Sequence, residues 1–188
     1  MIIFLLVLVV LIEIAVIIAT ILIFGSLIAS LFWGSPYMGI PRKILKQILL
    51  FGGLTQNDIF YDLGAGDGRV IISAKKNFNA QEVTGYEISP WPYFKGTLLI
   101  KMAGLQNAIN FERKNIFSTN LSNATFIYLY LYTSFINEKI APKLARELKA
   151  GARILSCSSQ IDLVRYPMFE LLKSDLFGNI HVYLYRKI

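Results

Sequence analysis

Three glycines at alternate positions, Gly64, Gly66 and Gly68, stand between a short apolar run and a run with helical spacing. The apolar run, Ile59–Leu63, predicts a buried strand, and Arg69–Phe78 predicts a helix. The glycines therefore lie in a strand-to-helix turn, where residues without a Cβ adopt positive φ angles and let a ligand approach the backbone. The free N–H groups that open the helix favour an anionic or polar ligand in this turn.

Two charged residues distinguish the motif in this turn from the dinucleotide-binding fingerprint G-x-G-x-x-G. Arg69 stands where the third glycine of that fingerprint would be, and Asp62 lies two residues before Gly64. A carboxylate there would repel a pyrophosphate but would suit a ligand with an ammonium group. The combination resembles motif I of the class I S-adenosylmethionine-dependent methyltransferases, and it disfavours the alternative of a dinucleotide-dependent oxidoreductase. The resemblance implies a cofactor site that includes Asp62, Gly64, Ala65, Gly66 and Asp67.

Polar residues also follow the next two predicted strands. Glu87 comes 21 residues after Gly66, near the spacing at which an acidic residue accepts hydrogen bonds from ribose hydroxyls; the alternative is a surface acid at a strand end. Class I methyltransferases commonly carry an Asp at the position of Asn115, where it contacts the adenine amino group, and an Asn carbonyl can accept the same bond. Ile116 would line the adenine, and Phe117 is expected in the core.

The acceptor side of the site is expected after the fourth predicted strand. Ligands of open α/β sheets bind beyond the carboxyl ends of the strands, so Tyr132 and Thr133 are the candidates for lining the methyl-acceptor site. Tyr128, Tyr130 and Tyr132 alternate along the strand, and the competing interpretation is a packed aromatic stripe. We expect Tyr128 in the core and Tyr132 at the site.

The chain has few residues of the kinds that bind metal ions or act as nucleophiles. His181 is the only histidine and lies in a strand pattern, and Cys157 is the only cysteine and lies in an apolar run. We therefore predict no metal site, no disulfide within the chain and a buried, inert thiol.

The first 33 residues predict a transmembrane anchor. Residues 2–24 are apolar or small except for Glu13 and Thr20. At about 1.5 Å per residue they cross a bilayer core of about 30 Å. The run is too long for a cleaved signal peptide and lacks its basic start. All 19 Lys and Arg follow residue 41, so the positive-inside rule predicts an N-terminus outside and a cytoplasmic C-terminal domain.

Charge and composition divide the chain into an anchor at 1–33, a Gly- and Pro-rich linker at 34–41 and a domain at 42–188. The part after residue 41 has 19 basic and 11 acidic residues, a net charge of +8. A basic surface beside an anchor is attracted to anionic lipids. Nucleic acid is the alternative partner for a basic surface. The basic residues are scattered rather than clustered, so we expect no binding of nucleic acid.

Strands and helices alternate from residue 59 onward, which is typical of an α/β fold with a mostly parallel sheet flanked by helices. We predict strands at 59–63, 82–87, 108–113, 125–131, 152–158 and 180–185, helices at 42–51, 69–78, 91–103 and 137–148, and a short element around 169–172.

Four stretches together resemble a small group of membrane-anchored, seven-strand methyltransferases: 34–41, 62–69, the run Gly-Tyr-Glu-Ile-Ser-Pro-Trp at 85–91, and 142–153. Eukaryotic members of this group are mitochondrial protein-lysine methyltransferases of the ATP synthase c subunit and the adenine nucleotide translocase. The resemblance implies a Rossmann-like class I methyltransferase fold with seven strands, S-adenosylmethionine as cofactor, and a lysine of a membrane protein as acceptor.

Two stretches depart from the pattern of that group. The family often has a Pro soon after the fourth strand, where this chain has Tyr132-Thr133-Ser134, and the run Cys157-Ser158-Ser159-Gln160 also differs. Both are expected on the acceptor side. A methyltransferase of lipids or small molecules and a non-catalytic scaffold that binds S-adenosylmethionine therefore remain alternatives to a protein-lysine methyltransferase.

Overall fold

The computed structural model describes residues 1–33 and 39–188. Most of the predicted linker, at 34–38, lies outside the described residues. The domain that follows it contains a seven-stranded sheet with helices on both faces. In chain order its first elements are α2 (Arg42–Phe51), β1 (Ile59–Leu63), α3 (Arg69–Phe78), β2 (Glu82–Glu87), α4 (Pro90–Met102), β3 (Asn110–Arg113) and β4 (Phe126–Leu129).

The second half of the domain completes the sheet. After β4 come three helical segments that are continuous with one another: α5 (Thr133–Phe135), a π-helical turn (Ile136–Ile140) and α6 (Ala141–Glu147). They lead to β5 (Arg153–Cys157), β6 (Phe169–Phe177) and β7 (Ile180–Lys187). The predicted helices and strands are present, with ends that differ from the predicted ones by a few residues.

The strand order is β3-β2-β1-β4-β5-β7-β6. Strands β1 to β5 pair in parallel, and β7 pairs antiparallel with both β5 and β6. The predicted mostly parallel, seven-stranded α/β sheet is thus confirmed. The chain reverses its direction of winding between β1 and β4, which creates the crevice where ligands bind in sheets of this kind.

The core lies on both faces of the sheet because alternate side chains of its central strands point to opposite sides. Phe60 and Tyr128 pack on one side with residues of α2 and α3. Leu63, Ile127 and Leu129 pack on the other side with residues of the helical segments after β4. The glycine turn follows β1, so it begins from one of the most deeply buried strands in the domain.

Strand β6 is much longer than the short element predicted at 169–172. It has nine residues, but only Phe169 is buried and the rest are exposed or half-buried. It is the edge strand of the sheet and has a bulge between Leu171 and Lys173. An edge strand that faces solvent has no alternation of buried and exposed positions, so the sequence pattern predicted only its start.

A helix of 32 residues, α1 (Ile2–Trp33), precedes the domain. Among the described residues it is the one helix that is long and apolar enough, over Ile2–Ile28, to cross a membrane by length and composition. Its later turns pack against the start of α4. Ser26 Oγ accepts a hydrogen bond from the Trp91 backbone N–H at 3.0 Å, and a Cβ added at Gly25 would lie 3.2 Å from Pro90 Cγ.

Candidate functional site

The glycine turn between β1 and α3 has the backbone that its sequence predicts. Gly64, Gly66 and Gly68 have φ angles of 101°, 55° and 74°, all in the left-handed region that side chains with a Cβ rarely adopt. The turn is also tied to β2, because the N–H groups of Gly64 and Ala65 both donate to the Tyr86 carbonyl, at 3.0 and 2.9 Å. The turn is therefore held open beside the carboxyl ends of β1 and β2.

Glu87, at the end of β2, is buried against this turn. Its Oε2 accepts a hydrogen bond from Gly66 N–H at 2.8 Å, and its Oε1 accepts one from Ser89 N–H at 2.7 Å. Burial raises the pKa of the Glu87 carboxyl, and these backbone hydrogen bonds offset only part of that rise. Each carboxylate oxygen can accept a second hydrogen bond, so the predicted ribose contact is compatible with this position. The spacing did not reveal that Glu87 also shapes the turn.

Asp62 lies at the floor of the same crevice and is 2% exposed. Within the described residues, its Oδ2 atom has no hydrogen-bond partner, and neither does the buried hydroxyl of Tyr128. Burial raises the pKa of Asp62 well above its ordinary value, and the neighbouring Glu87 and Asp67 raise it further. An unpartnered buried carboxylate oxygen is costly, and a cationic ligand would remove the cost.

Asp62 and Tyr128 line one small pocket together with the glycine turn. The other lining residues are Gly39, Ile40, Gly64, Ala65, Gly66, Asp67, Arg69, Val70 and Tyr130. A carboxylate at the floor suits an ammonium group. The amino-acid part of S-adenosylmethionine carries such a group, so the residues that are present fit that cofactor.

Asp67 and Arg69 form a second buried contact beside the turn. Arg69 donates from Nε and Nη2 to the two oxygens of Asp67, at 2.8 and 2.7 Å, and Lys95 Nζ of α4 lies 3.1 Å from Asp67 Oδ2. Arg69 Nη1 also donates to the Ile40 carbonyl at 2.8 Å. The carboxylate of Asp67, predicted as a cofactor residue, thus orients an arginine that holds residues 39–40 over the pocket. In the sequence, the one sign that Arg69 has a part in the site is its position directly after the glycine turn.

Asn115 and Ile116 follow β3 and are half-buried. Asn115 Oδ1 accepts a hydrogen bond from Phe117 N–H at 3.0 Å, which caps the 3₁₀ turn Ile116–Ser118. Phe117 was expected in the core, but it is 40% exposed and contacts Phe135 edge-on with ring centroids 6.0 Å apart. That expectation was wrong because a capped turn, rather than a strand, carries this side chain outward.

The two stretches on the expected acceptor side contact each other. Thr133 Oγ1 lies 3.0 Å from Ser159 Oγ, to which it donates, and Ser159 Oγ donates to the Leu131 carbonyl at 2.7 Å. Tyr132 precedes α5 and is 47% exposed. Ser158 has a φ angle of 63°, which is uncommon for a residue other than glycine and is typical of functional loops. The residues that depart from the family pattern thus form one continuous region.

Tyr128 of β4 and Tyr130, which follows β4, both line the pocket, as expected of residues that alternate on one face of a strand. Tyr128 is buried at the pocket floor, and Tyr130 is half-buried in the pocket wall.

Burial raises the pKa of the nearby Cys157 thiol to about 12, so this thiol stays protonated and unreactive. Among the described residues, no group of three His, Cys, Asp or Glu side chains could hold a metal ion.

Comparison with known sequences places residues 62–165 in the family described as the ANTKMT methyltransferase domain. The chain is 35% identical over 152 residues to a protein-lysine N-methyltransferase of Saccharolobus islandicus, which covers 80% of this chain and 92% of that protein. It is 29% identical over 122 residues to the adenine nucleotide translocase lysine N-methyltransferase of Mus musculus, covering 64% of this chain and 52% of the mouse protein. The chain thus spans about half of the mouse protein.

Comparison with solved structures gives the same fold. The crystal structure of an RNA methyltransferase from Salinibacter ruber in complex with S-adenosyl-L-homocysteine superposes with a TM-score of 0.71 and 28% identity, covering 80% of this chain and 94% of that one. A ribosomal protein L11 methylase from Lactobacillus delbrueckii has a TM-score of 0.65 at 15% identity, covering 81% of each chain. The second likeness concerns the fold alone.

Proposed function

The chain belongs to the ANTKMT methyltransferase family and is an S-adenosylmethionine-dependent protein-lysine methyltransferase, and we propose that it methylates a lysine of a membrane protein. The observation that carries this proposal is the junction between α1 and α4. The apolar helix reaches the domain at Trp91, four residues after Glu87 at the cofactor site. If α1 crosses a bilayer, the site lies within reach of acceptors at the membrane surface.

We propose that the residues of the pocket bind the cofactor in three parts. Asp62 accepts hydrogen bonds from the ammonium group, and Glu87 accepts them from the ribose hydroxyls. Asn115 and Ile116 contact the adenine, while Gly64, Ala65, Gly66 and Asp67 provide the backbone of the turn. When bound, the cofactor supplies an electrophilic methyl group on a sulfonium. The residues of the chain mainly position this group, since in-line methyl transfer depends on distance and orientation.

On the acceptor side, Tyr132 and Thr133 receive the lysine. The exposed ring of Tyr132 holds the incoming ammonium by a cation–π contact, which is worth about 0.5–2 kcal/mol. Burial of the amine beside the ring then lowers its pKa, so that it loses a proton to water and becomes a nucleophile. Thr133 is held by Ser159 and fixes the rim of this region.

The distribution of charge supports an orientation for the chain. All of the basic residues follow residue 41, so by the positive-inside rule we propose a cytoplasmic domain and an N-terminus outside. Acceptor lysines are then expected in cytoplasmic loops close to the membrane surface. The mouse relative is named for the adenine nucleotide translocase and a Homo sapiens relative for the ATP synthase c subunit, which supports an acceptor of this class.

The test is a transfer experiment with the full-length chain. The protein is incubated with cofactor labelled in the methyl group and with membranes from a strain that lacks it, and label is followed into protein, lipid and RNA. We expect label in membrane proteins, with methyl-lysine identified by mass spectrometry, and far less label with Asp62→Asn at the same cofactor concentration. Label only in lipid or only in soluble protein would overturn the proposal, and so would label only in RNA, the substrate class for which the Salinibacter ruber protein is named.

A further inference from the structure

One side of α4 exposes a row of large apolar side chains. The exposed fractions are 43, 55, 50 and 74% for Trp91, Phe94, Leu98 and Met102. Spacings of three and four residues place them on one side of the helix. The other side contributes Pro92, Gly96 and Ile100 to the interior of the domain. Helix α4 is thus apolar on both sides. We call the four exposed residues the outer stripe; they face away from the sheet and do not pack in the core.

The outer stripe starts where the domain meets α1. The Trp91 N–H donates to Ser26 Oγ, and Gly25 lets Pro90 approach the helix closely. The apolar span Ile2–Ile28 has 27 residues. At 1.5 Å per residue it is about 40 Å long, against a bilayer core of about 30 Å. Ser26 is near the end of that span, so if α1 crosses a bilayer, Trp91 lies at the level of the lipid head groups, where tryptophan is favoured.

Positive charge flanks the outer stripe. A cleft between α2, α3 and α4 is lined by the basic residues Arg42 and Lys76 and by the apolar residues Leu99 and Met102 of α4. Lys101, next to Met102, is exposed. Apolar side chains bordered by cations are typical of helices that lie at the surface of an anionic bilayer.

We propose that the outer stripe of α4 is inserted in the interfacial layer of an anionic lipid bilayer, with Arg42, Lys76 and Lys101 among the lipid phosphates. This inference rests on the proposed function because it takes α1 as a membrane span. It goes beyond that function in giving the domain a fixed orientation on the bilayer, where an anchor alone would leave the domain free to rotate.

The orientation has a consequence for the acceptor. Helix α4 begins three residues after Glu87, and its Lys95 contacts Asp67 beside the glycine turn. The cofactor site therefore lies beside the start of the inserted helix, close to the lipid surface. Acceptor lysines close to the interface can reach the site, and lysines on parts of a protein that project far into solvent cannot.

The test uses the full-length chain in liposomes that contain phosphatidylglycerol, with a fluorophore on one introduced cysteine. Leu98→Cys reports on the outer stripe, Val10→Cys on α1, and Asn123→Cys on the opposite end of the sheet. Cys157 is fully buried, so its own labelling is slight. We expect brominated lipids to quench the labels at 98 and 10 several-fold more than the label at 123, and aqueous iodide to quench mainly the label at 123.

The labels also separate this inference from the anchor. Quenching by lipid at 10 but by iodide at 98 would overturn the placement of α4 and leave α1 as a membrane span. A label at 98 shielded from both quenchers would also overturn it, since a protein partner or a second copy would then cover the stripe. Absence of lipid quenching at 10 would overturn the anchor and this inference together.

A charge on the outer stripe provides a second readout. Leu98→Asp places a carboxylate in the stripe, whereas Thr97→Asp adds the same charge to an exposed neighbour beside it. We expect Leu98→Asp to reduce methylation of acceptors in membranes about tenfold with an unchanged Kd for the cofactor, and Thr97→Asp to have little effect. Equal activity of the two variants would contradict the proposal.

Discussion

The carboxylate of Glu87 accepts a hydrogen bond from the backbone N–H of Gly66 at 2.8 Å, and this bond joins the end of β2 to the glycine turn after β1. The second oxygen of the same carboxylate accepts from Ser89 N–H at the start of α4. One side chain therefore connects three elements that surround the cofactor site, and it does so from a buried position.

Replacement of Glu87 should reduce both stability and cofactor binding. Glu87→Ala leaves two buried N–H groups without an acceptor, at about 1–3 kcal/mol each, so the free energy of unfolding should fall by about 2–6 kcal/mol. Glu87→Gln keeps one acceptor oxygen and should have an intermediate effect. Urea titration and calorimetry with the cofactor measure the two losses. Glu82→Gln, at the exposed start of the same strand, is the control and should change neither by much.

Asp62→Asn should separate stability from binding. The variant removes a buried ionisable group but keeps the shape, so the ligand-free protein should be at least as stable as the wild type. The Kd for S-adenosylmethionine should rise about 100-fold, which corresponds to about 2.7 kcal/mol. Thermal unfolding with and without cofactor checks both effects. A variant with the wild-type Kd would show that Asp62 does not bind the ammonium group.

The raised pKa of Asp62 also predicts a dependence on pH. The folded protein keeps this proton at pH values at which the unfolded chain, with an ordinary value of 3.8, has lost it. The stability of the ligand-free protein should therefore fall as the pH rises above about 4 and through the folded pKa. An ammonium ligand favours the carboxylate, so cofactor binding should release a proton. Calorimetry in buffers of different ionisation enthalpy measures this release, which should be absent in Asp62→Asn.

Gly64→Ala should damage the turn more than an equivalent change elsewhere. The φ angle of Gly64 is 101°, and an added Cβ would lie 3.2 Å from Leu131 Cδ2. Gly104 also has a positive φ angle, 70°, but an added Cβ there has nothing within 4 Å. Gly104→Ala should therefore cost only the backbone strain, about 1–2 kcal/mol. Gly64→Ala should cost more and should abolish cofactor binding by calorimetry; equal effects of the two variants would contradict a role for the turn.

Asp58 stabilises the domain at the opposite end of β1. Burial tends to raise its pKa, but hydrogen bonds from Arg153, Thr125 and Thr55 outweigh burial, so the pKa lies below its ordinary value of 3.8. The stabilisation is present above that value and is lost as the pH falls through the lower, folded pKa. Asp58→Asn should cost about 2–4 kcal/mol at pH 7 with an unchanged cofactor Kd. The stability difference from the wild type should shrink below pH 4 in denaturant titrations.

The cofactor half of the site was predictable because its constraints are local. Gly64, Gly66 and Gly68 each need a positive φ angle, and Asp62 is fixed by its place in β1. The contacts that complete the site join residues far apart in sequence. Arg69 reaches the Ile40 carbonyl across 29 positions, and Thr133 reaches Ser159 across 26. These pairs depend on how strands and helices are arranged, and no spacing in the sequence encodes them.

The fold was predictable where burial leaves a pattern. The strands β1, β4 and β5 are mainly apolar because they are buried on both faces, and their runs were found. Phe169–Phe177 was underestimated because seven of its nine residues are exposed. The outward position of Phe117 follows from the cap that Asn115 forms. A pattern of hydrophobic residues does not predict such a hydrogen bond.

Substitution of Tyr132 should distinguish effects on the acceptor from effects on the cofactor. If its exposed ring holds the lysine ammonium, Tyr132→Ala should reduce kcat/KM for the acceptor about tenfold while the cofactor Kd stays the same. Tyr132→Phe keeps the ring and should retain most of the activity. Val164→Ala, at a site that is 95% exposed, is the control for a general loss of surface contact. A Phe variant as impaired as the Ala variant would show that the hydroxyl, rather than the ring face, is required, and a raised cofactor Kd would place Tyr132 in the cofactor site instead.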